Sequence, residues 1–155
     1  MRLGGLFVLS AVLAALLAAQ DSAFRALQGR GKTAMGVDQY TSVHHFDPLP
    51  DGGRIALQRD AADTTGVVTI RAHLRRIAGA FAQGDFAVPG FVHAREVPGT
   101  GVMAAKRDAI RYVFHPLPGG GEVRIVTRDS AAVRAVHEFL AFQRMDHRVS
   151  DRHER

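Results

Sequence analysis

The sequence predicts an α+β fold, a two-layer sandwich whose antiparallel sheet carries helices on one face, with a pseudo-two-fold ββα repeat. Three observations predict it. His44 to Ile55 reads HHFDPLPDGGRI and returns 68 residues later as YVFHPLPGGGEV, Tyr112 to Val123. Each copy is flanked by alternating apolar residues, the period of a half-buried strand. Each is followed at a short distance by apolar residues at helical spacing. Two hairpins with one apolar face each need a cover, and the two amphipathic helices supply it.

The elements follow in order. Tyr40 to Phe46, rich in Thr, Val and aromatic residues, reads as the first strand. Pro48-Leu49-Pro50-Asp51-Gly52-Gly53 is turn chemistry, since proline fixes φ and glycine accepts positive φ. Arg54 to Gln58 alternates, with Ile55 and Leu57 on one face. Asp60 or Asp63 caps a helix over Thr64 to Gln83, whose stripe is Val67, Ile70, Leu74, Ile77, Ala78 and Phe81. Phe86 to Glu96 holds a short strand at Val92-His93, broken by Pro89 and Gly90. Val102 to Ala109 is a short helix and Ile110 to Phe114 a strand. After the second turn, Glu122 to Thr127 points Val123 and Ile125 inward. Asp129 or Ser130 caps a final helix striped by Val133, Val136, Leu140 and Gln143, with His137, Phe139 and Phe142 beside them.

The 155 residues fit one domain with a targeting segment in front. Met1 to Ala19 has one early cation, Arg2, then an unbroken apolar and small-residue run, the pattern of a secretory signal peptide. The expected organisation is a signal peptide over 1–19, a flexible arm over 20–39, one α+β domain over 40–147 and a polar tail over 148–155. The expected location is the bacterial periplasm or the exterior, with no membrane-spanning segment after cleavage. The absence of cysteine excludes disulfides, thiolate metal sites and cysteine nucleophiles. A net charge of +5 with 18 arginines against two lysines raises nucleic acid as a partner. No aromatic-rich RNA-binding signature or long basic run accompanies it, so nucleic acid is not expected. Ala26 to Thr33, ALQGRGKT, loosely matches a phosphate loop. That chemistry needs a buried strand before the loop and a helix after it, and neither is predicted, so nucleotide binding is rejected.

Eight histidines are the residue excess that folding does not explain. Strand alternation puts His44 with Phe46 toward the helices and His45 on the other face. His73 and His137 lie at the edges of the two helical stripes, so His44, His73 and His137 are expected to converge between sheet and helices. His93 and His147 are placed at the rim. Neutral imidazoles in a partly apolar pocket suit copper or zinc. The candidate metal ligands are His44, His45, His73, His93 and His137, with Met35 and Met145 as thioether donors for Cu(I) if the arm folds back. No HExxH, helical H-x3-H or Cys/His finger is present. Nor is there a G-x-S-x-G elbow, and no catalytic residue is assigned.

The stretches MGVDQYTSVHHF, DGGRI, IRAHLRRIAGAFAQGDF and HEFLAFQRMDH resemble a group of short exported bacterial proteins of uncharacterised function. The likeness runs from Met35 to His147 and names no chemistry. Members sometimes bear the label aspartate carbamoyltransferase, which is not carried over. The catalytic subunit of that enzyme is far longer and its Ser-Thr-Arg-Thr phosphate loop is missing here. Its regulatory subunit needs a four-cysteine zinc site. The functional expectation is therefore a small exported binding protein holding Cu or Zn through histidines. The alternatives are a metal-free module meeting an anionic envelope component or partner protein, and a small His-dependent enzyme.

Overall fold

The computed structural model describes residues 4–38 and 41–149. In chain order the elements are α1 (Gly4–Met35), β1 (Val43–Leu49), β2 (Gly52–Gln58), α2 (Thr64–Ala82), α3 (Ala87–His93), α4 (Thr100–Ala105), β3 (Ile110–Leu117), β4 (Gly120–Thr127) and α5 (Ser130–Asp146). A 3₁₀ turn, Arg107–Ala109, leads into β3. The four strands form one antiparallel sheet in the order β1-β2-β4-β3. The α+β expectation is met: α5 packs on β1 and β2, and α2 packs on β3 and β4.

The pairing register carries the alternation of faces. Phe46 lies opposite Ile55, Ile55 opposite Val123, and Val123 opposite Phe114. These positions and the adjacent Leu57 and Ile125 form the helix-facing side, and Ile70, Val123, Ile125, Val136 and Leu140 are fully excluded from solvent. All six apolar positions predicted for α2 are buried. The Asp63 carboxylate accepts from Gly66 N–H at 2.9 Å, and Asp129 accepts from Ala131 and Ala132 N–H at the start of α5. These caps satisfy helix-end donors that would otherwise be unpaired.

Four boundaries differ from expectation. The hairpin loops are tighter, two residues each (Pro50-Asp51 and Pro118-Gly119), because Pro48 and Pro116 sit inside edge strands, where a missing N–H costs the sheet little. The strand expected at Val92-His93 is the last turn of α3; Pro89 falls in the first turn of that helix, where proline is tolerated. The helix expected over Val102 to Ala109 stops at Ala105 and tightens into the 3₁₀ turn.

The largest difference lies before the sheet. The segment expected as a flexible arm continues α1 to Met35, and the helix passes through Gly29 and Gly31. Leu27, Gln28, Gly31 and Met35 form a buried ridge at spacings of three and four residues, and tertiary burial outweighs the poor helix propensity of glycine. Gly36, at φ +78°, ends the helix by bonding back to Lys32 O, as a left-handed glycine commonly does. Among the described residues, no helix is long and apolar enough to cross a membrane. Tyr40, expected to open the first strand, and most of the tail, 150–155, lie outside the described residues.

Candidate functional site

Between the sheet and α1, α2, α3 and α5 lies a cavity of about 90 Å³. His44, His73, His93 and His147 all line it, together with Met35 and apolar residues such as Phe46 and Leu74. No Asp or Glu is among the lining residues. Each imidazole arrives by a different route. His44 is on the helix-facing side of β1, opposite Leu57. His73 lies on α2, at the edge of its buried stripe. His93 closes α3. His147 follows α5 at its C-terminal cap, and the chain turns away at Arg148, which has a left-handed φ of 52°.

The rings pack as a row. His147 lies nearly parallel to His44, with centroids 5.6 Å apart, and against Phe46 at the same separation. On its other side His93 stands edge-on at 5.1 Å, and Phe142 packs edge-on against His93 at 4.9 Å. His93 is tied at both nitrogens: Nδ1 bonds Asp146 Oδ2 at 2.5 Å and Nε2 meets Gln143 Oε1 at 3.0 Å. The carboxylate and the amide oxygen both only accept, so in this arrangement each ring nitrogen of His93 donates. His73 Nδ1 accepts from Arg76 Nη2 at 3.1 Å, which leaves its Nε2 as the protonated nitrogen of a neutral ring.

The environment keeps three of the rings uncharged. Burial, with His73 and His45 nearby, pushes His44 down to about 4. Burial and the Arg76 guanidinium push His73 down to about 4 against the pull of the Ala34 carbonyl. His147 is lowered to about 3 by burial, His44 and His93, against the opposing charge of Asp146. Desolvation is the largest cause at each, because an imidazolium loses hydration that an apolar wall cannot replace. At neutral pH these three rings therefore carry no positive charge, and the lone pair of His73, at Nδ1, is engaged by Arg76.

Of the three rings expected to converge, His44 and His73 do so, and His93, expected at the rim, lines the cavity with them. Of the candidate ligands, His45, on the face that alternation gives it, and His137 do not line it. His45 points to the helix-free face, opposite Ala56. His137 lies beside the first hairpin turn, where its Nε2–H donates to Leu49 O at 2.9 Å; it closes a strand-end carbonyl and does not line the cavity. His147 takes the place expected of His137. Its signal is present in the sequence: Phe139, Gln143 and His147 recur every four residues, one face of a helix. Met35 does reach the cavity, whereas Met145 is 67% exposed. Among the described residues, no three His, Asp or Glu side chains stand in positions that would already hold a metal ion.

The arginine excess has a structural use. Arg71 donates to Gly120 O and Leu117 O, Arg76 to Ala34 O, Arg124 to Gly53 O, Arg144 to Phe46 O and Arg30 to Val92 O. Arg71 and Arg144 tie helices to strand carbonyls, Arg30 and Arg76 tie helix to helix, and Arg124 ties strand to strand. The segment resembling a phosphate loop, Ala26 to Thr33, lies inside α1, with its backbone N–H groups committed along the helix. The fold and site define a small α+β protein with a histidine-lined cavity between sheet and helices. The chain has no significant match among protein-family models, curated proteins or solved structures.

Proposed function

We propose that this chain is a non-catalytic binding protein whose ligand is a soft monovalent metal ion, Cu(I), taken into the cavity beside His44, His73, His147 and Met35. One observation carries the reading: four imidazoles and a thioether line a small space, three of those imidazoles held neutral, with no carboxylate among them. Size supports it. About 90 Å³ corresponds to roughly three water volumes and lies well below the ~300–1,000 Å³ of ordinary small-molecule pockets. Neutral nitrogen and thioether donors suit Cu(I) better than Zn(II) or Cu(II), whose second charge would be buried without a countercharge. Capture requires the His44 and His147 rings to turn out of their mutual stack, and His73 to release Arg76 from Nδ1, so that ring nitrogens face the ion. His93, bonded at both nitrogens, orients the wall instead of ligating. Export supports the same reading through the signal-like Met1 to Ala19 and the likeness to short exported proteins.

Anaerobic titration of the full chain with Cu(I) against a calibrated chelator tests this, with Zn(II) in parallel. The expected result is one equivalent of Cu(I) bound, lost in His44→Ala and weakened in Met35→Leu, with Zn(II) far weaker and His137→Ala indistinguishable from the parent. Substoichiometric uptake that ignores His44→Ala overturns the metal reading.

A further inference from the structure

On the far side of His93 from the histidine cavity, a separate cleft of about 710 Å³ opens between α1 and the end of α5. We infer that this cleft is a binding site for a small organic anion, a monocarboxylate with an apolar body, held by Arg30, Arg95 and Arg148.

The volume falls in the range of ordinary small-molecule sites. Three guanidinium groups line the cleft against two carboxylates, Asp21 and Asp146. Of these, Asp146 already gives Oδ2 to His93 at 2.5 Å. The remaining ion pairs, Arg95 to Asp146 and Arg148 to Asp21, are both long at 3.5 Å. The two arginines are 55% and 49% exposed at their side chains, so these pairs hold them weakly and an incoming anion competes with them on good terms.

Two of the guanidinium groups are also pre-oriented. Arg95 lies over the Phe142 ring at 4.6 Å and Arg148 over the Phe24 ring at 4.2 Å. A guanidinium stacked on an aromatic face keeps its edge in position for in-plane hydrogen bonds; at Arg148 that edge meets Asp21 Oδ1 at 3.5 Å and Gln20 O at 3.4 Å, long contacts that a bound carboxylate would replace. Arg30 is anchored by its Nε to Val92 O at 2.8 Å, which fixes the third group without consuming its terminal nitrogens in that bond. Phe24, Leu27 and Met145 add apolar wall beside the polar Gln20, Asp21 and Asp146, and these apolar side chains favour an organic body over a bare inorganic ion. Cleavage after Ala19 would remove Leu17 alone from the cleft wall. The cleft and the histidine cavity share His93 as a wall, yet this inference stands whether or not the cavity takes a metal.

The test is an NMR titration of the full chain with sodium benzoate at low ionic strength, following arginine Nε–H and backbone amide signals, with benzyl alcohol as the uncharged control. The expected result is saturable movement of the Arg30, Arg95 and Arg148 signals with benzoate and none with benzyl alcohol. Affinity is expected to fall about tenfold or more in Arg95→Gln and in Arg148→Gln, since each removes a charge-assisted contact. Both side chains are exposed enough for the fold to survive, which thermal melts verify. His44→Tyr leaves benzoate binding unchanged. Absence of saturation, equal binding of benzyl alcohol, full affinity in both Gln variants, or loss of binding in His44→Tyr would each overturn the assignment.

Discussion

The two hairpins share a turn sequence and differ in what stands beside it. In both, a helix side chain closes the carbonyl of the leucine before the loop: His137 donates to Leu49 O, and Arg71 donates to Leu117 O. In both, the edge strand has an aromatic ring facing the helices, Phe46 and Phe114. Two residues earlier they part. Tyr112 packs edge-on against Phe81, with ring centroids 5.7 Å apart, and its buried hydroxyl finds no partner among the described residues. Burial pushes that hydroxyl's pKa upward. His44 instead stacks with a second imidazole beside an open cavity. The scaffold thus tolerates a large aromatic side chain at this kind of position, even with an unsatisfied hydroxyl. If the two positions are equivalent, the imidazole and the space beside it at the first hairpin are dispensable for folding, which His44→Tyr tests.

The comparison predicts that changes to what the hairpins share cost alike, and changes to what they do not share cost unlike. The largest effects are at the glycines opening β2 and β4. A Cβ at Gly52 would stand 2.3 Å from Ile125 O, at φ +135°, and one at Gly120 would stand 2.1 Å from Leu57 O. Backbone atoms in a sheet cannot step aside, so Gly52→Ala and Gly120→Ala should each cost about 3 kcal/mol or more in denaturant unfolding. Free tolerance of one and not the other would break the equivalence of the turns.

A second test is the acid response of the imidazoles that gather beside the first hairpin, on β1, α2 and the end of α5. Unfolded imidazoles take a proton below about 6.5, while His44 and His73 stay neutral to about 4 and His147 to about 3 in the folded chain. Between those values the unfolded state binds more protons, so stability falls as pH drops from 6.5 toward 4. The slope is at most about 1.4 kcal/mol per pH unit for each such imidazole. Urea midpoints measured from pH 7.5 to pH 4 should show this loss, and His44→Tyr should flatten it. An identical profile in that variant would remove His44 from the neutral cluster.

Smaller effects separate the two carbonyl closures. Arg71→Ala loses two bonds to carbonyls and should cost about 2 kcal/mol, His137→Ala one bond and about 1 kcal/mol. Thermal melts check both, and a larger cost at His137 would reverse the ranking. Smallest of all, His45→Ala and His115→Ala on the helix-free face should stay within about 0.5 kcal/mol of the parent.

Much of this was legible in the residues. Alternation in YVFHPLP and HHFDPLP assigned faces correctly, so His44 inside and His45 outside followed from period two alone. The α2 stripe and the Asp63 and Asp129 caps were equally readable, since they are local signals. Three features were not. Met35 reaches the cavity because Leu27 and Gly31 pack a helix whose glycines argued locally for a loose arm. His93 arrives on a helix too short to show a period and interrupted by Pro89 and Gly90. His147 continues the four-residue spacing of Phe139 and Gln143, but it sits at the cap of the helix, and nothing local announces that the turn runs on to a left-handed Arg148. Each is a tertiary effect overriding a weak local preference.

On the proposed Cu(I) reading, the space beside His44 is kept for a ligand. The measurement that meets it most directly is Cu(I) uptake by the parent chain and by His44→Tyr, which writes the second hairpin's residue into the first, with thermal stability recorded on the same samples. One equivalent is expected on the parent and none on His44→Tyr, at a melting temperature equal to the parent's or higher. Equal uptake by both chains, or no uptake by either, would contradict it.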